Sequence, residues 1–469
     1  MMISGKKLAR LLQDLAGGDA SKRRLAAEAL ADTDERAVYP LIRALRDENT
    51  GVQDAAMRSL IRIGGETTAY MALPLLREDA LLRNTAIIML RDIGPVSVPL
   101  LYPLLKDKDD DVRKFSIDLL MDIREGVDAG RIIPLIADPN PNVRAAAAKA
   151  AGVLGCRDAV PELVAALRDE EWVCFSALEA LGELRDESAV GPIAGLLGHE
   201  SATSRCAAIE ALGRIGGAAA EEALNAYLPK TDDFEKMAVL KSLLLMGAVP
   251  QGKGVAGTLL EMFRAGDWEE RVLCVRGLAA VGHYAAIREV IDAAGSLDAS
   301  EPDGEDILLR IKDGLRRFGC PDAFQKIVED PAFRFRGKCI AVELIGEMRC
   351  EAATELLIRQ LQGGIRDIKR ACAVALGNIG GDAARHALIA AVEDHDSHVR
   401  KAAVAALGAA ADRDAFDAVT RLIRGETYQD VLEEAVRAAL AIDPDRFMGM
   451  LEDYGGRVQE IAGWYAREA

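Results

Sequence analysis

A chain of 469 residues with a formal net charge of −17 repels phosphate backbones as a whole, which argues against DNA or RNA as its main ligand. Half of the residues are hydrophobic but only 4% are aromatic, so the core has to be built from Ala, Leu, Ile and Val, side chains that suit closely packed helices better than a sheet. No apolar run approaches the roughly 18–20 residues needed to span a bilayer, and the eight cysteines are scattered without a Cys-x-x-Cys pair, the pattern of buried free thiols in a cytoplasmic protein.

The opening stretch, MMISGKKLARLLQDL, reads as an amphipathic helix and not as a cleavable leader. After it one cassette recurs. Its clearest copy is Asp138–Gly155, DPNPNVRAAAAKAAGVLG: Asn140 stands at an N-cap, Pro141 at the first helical position, and an alanine-rich helix runs from Val143-Arg144 to a glycine stop. With Val143 as position 0, equivalents fall at Lys22, Val52, Leu82, Val112, Val173, Ser204 and Glu235, a spacing of 30 or 31 residues. Two longer steps lead to Glu270 and Ile307, and the beat resumes at Gly337, Ile368, Val399 and Leu432. About fourteen units of this period point to a helical repeat array.

Three features accompany the period. Three residues before position 0 stand Asp19, Asn49, Asp79, Asp109, Asn140, Ser201, Asp232, Asp267 and Asp396, each able to accept from an orphan backbone N–H. Position 1 is basic in Arg23, Arg83, Arg113, Arg144, Arg205, Lys236, Arg271, Lys338, Lys369 and Arg400, which stacking would set in a ladder beside the Asp-rich turns. Helices end in Leu-Gly and a second glycine, as in Leu212-Gly213-Arg214-Ile215-Gly216, suiting close helix approach and a left-handed cap. Between these helices lies a shorter one, such as AVPELVAALRD from Ala159, with proline near its start. Each unit is therefore helix A, an Asp-rich turn, helix B and a glycine-rich turn, and neither helix can bury its apolar side without the next unit.

These cassettes, most plainly RDEEWVCFSALEALGELRDESAVGPIAGLL and DHDSHVRKAAVAALGAAADRDAFDAVTRLI, resemble HEAT-like repeats of the phycobilisome-lyase type over nearly the whole chain. The resemblance implies an all-α, right-handed α-α superhelix of the HEAT/armadillo kind, with helix B lining its concave side. The regular beat fails between Met246 and Ile307, so the expected organisation is an N-terminal array over 1–294, an acidic loop or hinge at 295–306 (opening with GSLDASEPDG) and a C-terminal array over 307–469.

Chemical motifs are sparse. Deoxyhypusine hydroxylases, which resemble this chain in architecture, hold two irons with several His-Glu pairs, whereas this chain has one, His199-Glu200; His395 and His398 share a polar turn and read as solvated. Related DNA glycosylases have a basic concave surface, which the acidity here does not match. GAVPQGKG (Gly247–Gly254) approaches a phosphate-binding loop, but Gly254 stands where a Ser or Thr would hold magnesium and a helix, not a strand, precedes it. No catalytic, metal or cofactor residues are expected. The reading is a non-catalytic interaction scaffold or regulatory adaptor with a protein partner, no nucleic acid and no membrane, self-association being left open. The alternative implied by the resemblance is a bilin lyase or lyase-chaperone subunit, which needs a bilin and a phycobiliprotein.

On a helical wheel, positions 0, 4, 7, 8 and 11 of helix B cluster toward the core, and 2, 6 and 9 point away from it. Position 2 turns apolar from the sixth to the eleventh unit, as Phe175, Cys206, Met237, Val272, Leu309 and Cys339, flanked at position 6 by Glu179, Glu210, Lys241 and Arg276. A solvent-facing stripe of that kind marks a groove for a helix or an extended peptide.

Overall fold

Nine of the long helices are started by a polar side chain whose capping bond is visible. In the computed structural model, which describes residues 5–297 and 303–468, all nine N-cap residues named above accept from backbone N–H groups two or three residues on, as Asn140 does from Asn142 and Asp396 from His398. Glycines at φ between 60° and 76° end four of the helices, at Gly64, Gly94, Gly216 and Gly380. Among the described residues the regular structure is helical throughout, without a strand.

The chain divides into two compact units, Met1–Ala248 and Val249–Ala469. In the first, the long helices are α1 (Ala20–Leu30), α2 (Thr50–Ile63), α3 (Ala80–Ile93), α4 (Asp110–Ile123), α5 (Pro141–Val153), α6 (Glu171–Leu184), α7 (Ala202–Ile215) and α8 (Asp233–Leu245). In the second they are α9 (Trp268–Ala280), α10 (Gly304–Arg316), α11 (Phe335–Glu347), α12 (Arg366–Ile379), α13 (Ser397–Ala409) and α14 (Gln429–Ile442). Shorter α or 3-10 helices such as Val160–Ala166 and Phe416–Gly425 alternate with them. Each unit is an α-α solenoid of stacked helix pairs. The division falls at the first lengthened step; the acidic stretch 295–306 lies inside the second unit, and its residues 298–302 are outside the described ones.

Neighbouring long helices touch through glycine. A Cβ on Gly152 of α5 would stand 2.6 Å from the Ala180 Cα of α6, one on Gly346 2.5 Å from the Ala375 Cα, and one on Gly408 2.7 Å from the Ala438 Cβ. The rule is position 9 of one unit against the small residue at position 7 of the next. Position 9 therefore faces the neighbouring helix, not solvent as the wheel suggested, because the contact between parallel helices wraps partway round each one. The same contact sets the last unit's reference at Val431, fully buried, one residue before the expected Leu432.

The basic ladder is a clamp across the repeat boundary. Arg144 donates to Asp169 at 2.6 and 2.7 Å, to Glu170, and back to the carbonyls of Asp138 and Pro139 at 2.9 and 3.2 Å. Arg113 repeats this with Asp138 at 2.8 Å twice, Arg23 with Asp47 at 2.7 and 2.9 Å, and Arg400 with Glu426 at 2.9 and 3.0 Å. Asp47, Asp138 and Asp394 also accept from the N–H of the following N-cap residue at 2.8–2.9 Å. One carboxylate thus shapes the turn and receives the previous unit's cation. The ladder has gaps: Arg83 lies over the Phe115 ring at 5.3 Å and Arg271 over Trp268 at 4.6 Å.

The stretch Ala80–Lys106 has the length and hydropathy of a membrane span, contrary to the sequence expectation. Gly94 (φ 76°) breaks it into α3 and the short helices from Pro95 onward, which bury Leu82, Met89 and Leu90 on one arm and Val98, Leu101 and Leu105 on the other. It is a helix pair of the array.

Two predictions follow from these contacts. Gly152→Ala is expected to lose about 1–3 kcal/mol of unfolding free energy through overpacking, whereas Gly191→Ala, with nothing within 4 Å of its Cβ, leaves it unchanged or slightly raised. Chemical denaturation of both variants measures this. In the second, hydrogen bonds from Arg144 hold Asp169 down to about 2 against burial, which acts the other way. A depressed carboxylate stabilises the fold fully above its ordinary value near 3.8 and loses that contribution as pH falls toward the folded value. The melting-temperature gap between wild type and Arg144→Gln should therefore be widest near neutrality and shrink on acidification below about pH 4.

Candidate functional site

Packing consumes one side of every long helix and leaves the other. In α6 the inward set is Val173, Ala177, Leu178 and Leu181; residues at i, i+3, i+7 and i+11 from Trp172 come out opposite, as Trp172, Phe175, Glu179 and Glu183. The same spacing exposes Thr203, Cys206, Glu210 and Arg214 on α7, and Phe234, Met237, Lys241 and Leu245 on α8. Four of these are large apolar side chains standing in solvent: Trp172 is 49% exposed, Phe234 68%, Met237 40% and Leu245 62%. Phe175 and Cys206 are half-buried between them. Phe175, Glu179, Glu210 and Arg214 border one shallow cleft of about 210 Å³ between α6 and α7.

A part-buried hydrogen bond joins α7 to α8. Arg205 of α7 donates to the buried Glu235 of α8 at 2.6 Å, and the Tyr227 hydroxyl donates to the same carboxylate at 2.8 Å. Burial and that bond to Glu235 raise the Tyr227 pKa. Along the edge, Arg214 pairs with Glu183 at 3.3 Å and Ser201 donates to Glu171 at 3.0 Å. Burial pushes the Cys206 thiol up, away from the thiolate form on which nucleophilic cysteines depend.

In the second unit the predicted residues part company. Val272 is fully buried, against the expectation that it faces solvent. The first inward position of α9 is a carboxylate, Glu270, and Val272 supplies the apolar surface there together with Cys274, Val275 and Leu278. Leu309 is 60% exposed on α10, and Arg276 is half-buried. Cys339, its thiol raised to about 11 by burial, borders a cleft of about 600 Å³ with Lys312, Glu343, Arg370 and Val374. The cations and carboxylates of that region largely serve each other. Lys312 binds Glu347 at 2.6 Å and Glu343 at 3.0 Å, Arg316 binds Glu347 at 3.1 Å, and Lys401 binds Asp430 at 3.3 Å.

The single apolar stripe read from the sequence is thus interrupted at Val272, and the exposed apolar face that one unit carries whole is that of α6–α8. Positions 2, 6 and 9 of the wheel do not include Trp172 and Phe234, which stand one residue before position 0, or Leu245, which stands at position 10. The i, i+3, i+7, i+11 spacing within FEKMAVLKSLLL is the signal that finds Phe234 and Leu245, and the same spacing within WVCFSALEALGE starts from Trp172. Among the described residues no group of three or more His, Cys, Asp or Glu is placed to hold a metal ion.

A family model described as HEAT repeats matches residues 8–91, 129–174, 173–244 and 354–440, together more than half of the chain. Among solved structures, the chain is similar to one in which Kap95p binding induces the switch loops of RanGDP to adopt the GTP-bound conformation, with 12% identity and a TM-score of 0.53 over 96% of this chain and 75% of that one. It is also similar to importin beta crystallised in a polyethylene glycol condition, with 13% identity and a TM-score of 0.51 over 98% of this chain and 80% of that one. At these identities the likeness is one of fold. No curated protein matches the chain by sequence.

The two apolar classes separate experimentally. Met237→Asp is expected to stay within about 0.5 kcal/mol of wild-type stability, and Val272→Asp, which buries a carboxylate among aliphatic side chains, to lose roughly 4 kcal/mol or more. Urea unfolding of the two variants, followed by circular dichroism, checks both.

Proposed function

The chain belongs to the HEAT-repeat family, and on that premise we propose that it is a non-catalytic scaffold or regulatory adaptor that holds a protein partner on the solvent side of its long helices. The observation that carries the reading is the α6–α8 face, where Trp172, Phe234, Met237 and Leu245 stand in solvent beside helices whose opposite sides already complete the core. Apolar surface gathered that way serves association. Kap95p, a protein of similar fold, binds another protein, Ran. Within the family we read the units as the phycobilisome-lyase HEAT-like type, with helix B on the concave side, on the strength of their Val-Arg starts and Leu-Gly ends. A cytoplasmic location accords with eight cysteines that are all free.

A photo-cross-linking amino acid at position 234 or 237 tests the reading in the native host. A discrete cross-linked protein is expected from either position and not from position 39, where Tyr39 is 61% exposed on a short helix, between the values for Met237 and Phe234. Equal labelling from all three, or none from 234 and 237, would reject it. Incubation with a bilin tests the catalytic alternative: the scaffold reading expects no new visible absorbance on the protein and no transfer to a phycobiliprotein.

A further inference from the structure

We infer that the occupant of the α6–α8 face is a basic amphipathic helix lying across the three helices, an inference that rests on the scaffold reading above. The exposed residues form a grid. Its apolar row runs Trp172 and Phe175 on α6, Cys206 on α7, then Phe234 and Met237 on α8. Beside it runs the row Glu179, Glu210, Lys241, and on the other rim stand Glu171 and Asp233, all exposed. Carboxylates thus flank the apolar row on both sides, against Lys241 and an Arg214 that is paired with Glu183.

Packed helices lie about 8–10 Å apart, and a helix rises about 1.5 Å per residue. A helix crossing α6–α8 meets the next supporting helix after roughly six or seven residues. Its apolar side chains must therefore recur at i, i+7 and i+14 with companions at i+3 or i+4, the pattern of a continuous apolar stripe. The grid also orders their sizes. Cys206, the small central residue, leaves room for a large side chain in the middle, and the bulk of Trp172 and Phe234 calls for smaller ones at the ends. Lysines or arginines on either side of the stripe would lie against Glu179 and Glu210 along one rim and Glu171 and Asp233 along the other. A carboxylate-bearing helix would meet like charge on both rims, and that repulsion discriminates between partners more strongly than the attraction adds affinity.

The probes are three synthetic peptides of about 18 residues, long enough to cross three helices. The first is amphipathic, with leucines at the stated spacing and lysine flanks; the second has glutamate for lysine; the third keeps the lysines but has serine for leucine. Binding to the full chain is read by anisotropy of the labelled peptide and by the emission of Trp172, identified by its loss in Trp172→Phe. The first peptide is expected to bind at least tenfold more tightly than the other two. It should lose about fivefold or more with Glu179→Lys/Glu210→Lys, lose a similar amount with Met237→Asp, and weaken as salt is raised; circular dichroism of each variant confirms the fold. Equal binding of the acidic peptide, equal binding of the leucine-free polycation, or indifference to the charge reversal would overturn the inference. If none of the peptides binds while cross-linking from position 234 persists, the basic-helix occupant is rejected and the scaffold stands. Loss of both removes the scaffold as well.

Discussion

A guanidinium reaching from the first turn of one long helix to the carboxylate of the next inter-helix turn is the interaction on which this architecture depends. Arg144 shows what it accomplishes. Its bonds to Asp169 and Glu170 lead forward to the next unit, and those to the Asp138 and Pro139 carbonyls lead back to its own turn. A repeat array has no distant contacts to close it, so its cohesion is the sum of nearest-neighbour terms. The clamp supplies the polar part of that term at the start of the helix, and the glycine-to-alanine contact, as between Gly152 and Ala180, supplies close packing near its end. Between the two contacts the relative rotation of successive helices has little freedom.

Fixing both ends of the helix also decides which side chains the fold leaves alone. Once the inward face, the capping turn and the glycine strip are committed, the large apolar residues Trp172, Phe234, Met237 and Leu245 on the outward face of α6 and α8 are left in solvent. The composition of that face is therefore informative. In the second unit the outward charges are spent on one another, as Lys312 is on Glu343 and Glu347. On α6–α8 large apolar groups stand uncovered with carboxylates along both rims, and this contrast makes the first unit's face the candidate for docking.

Acidity has two roles here that the net charge of −17 merges. Carboxylates such as Asp47, Asp138 and Asp169 are internal parts, their pKa values lowered where arginine bonds and backbone N–H groups outweigh burial. Others, Glu179 and Glu210 among them, are exposed and define the field that an approaching partner meets. The thiols divide differently. Burial raises Cys206 and Cys339 above the ordinary range, so the cysteines near the two clefts act as small apolar residues.

The sequence alone determined the all-α repeat, the period, the nine caps and the existence of a basic ladder, because each is written locally. A cap needs a polar residue three before its helix's reference position, and a helix needs spacing that any wheel displays. That the arginines lie beside the Asp-rich turns was legible, but not which carboxylate each one meets, since Asp169 lies 25 residues beyond Arg144 in the chain and only stacking brings them together. Nor could a wheel show that position 9 glycines touch the next helix or that Val272 turns inward, because one helix in isolation has an inside and an outside but no neighbours. Tertiary structure decided those points: the direction a side chain faces in a solenoid is set by the helix packed beside it, and that helix belongs to another repeat.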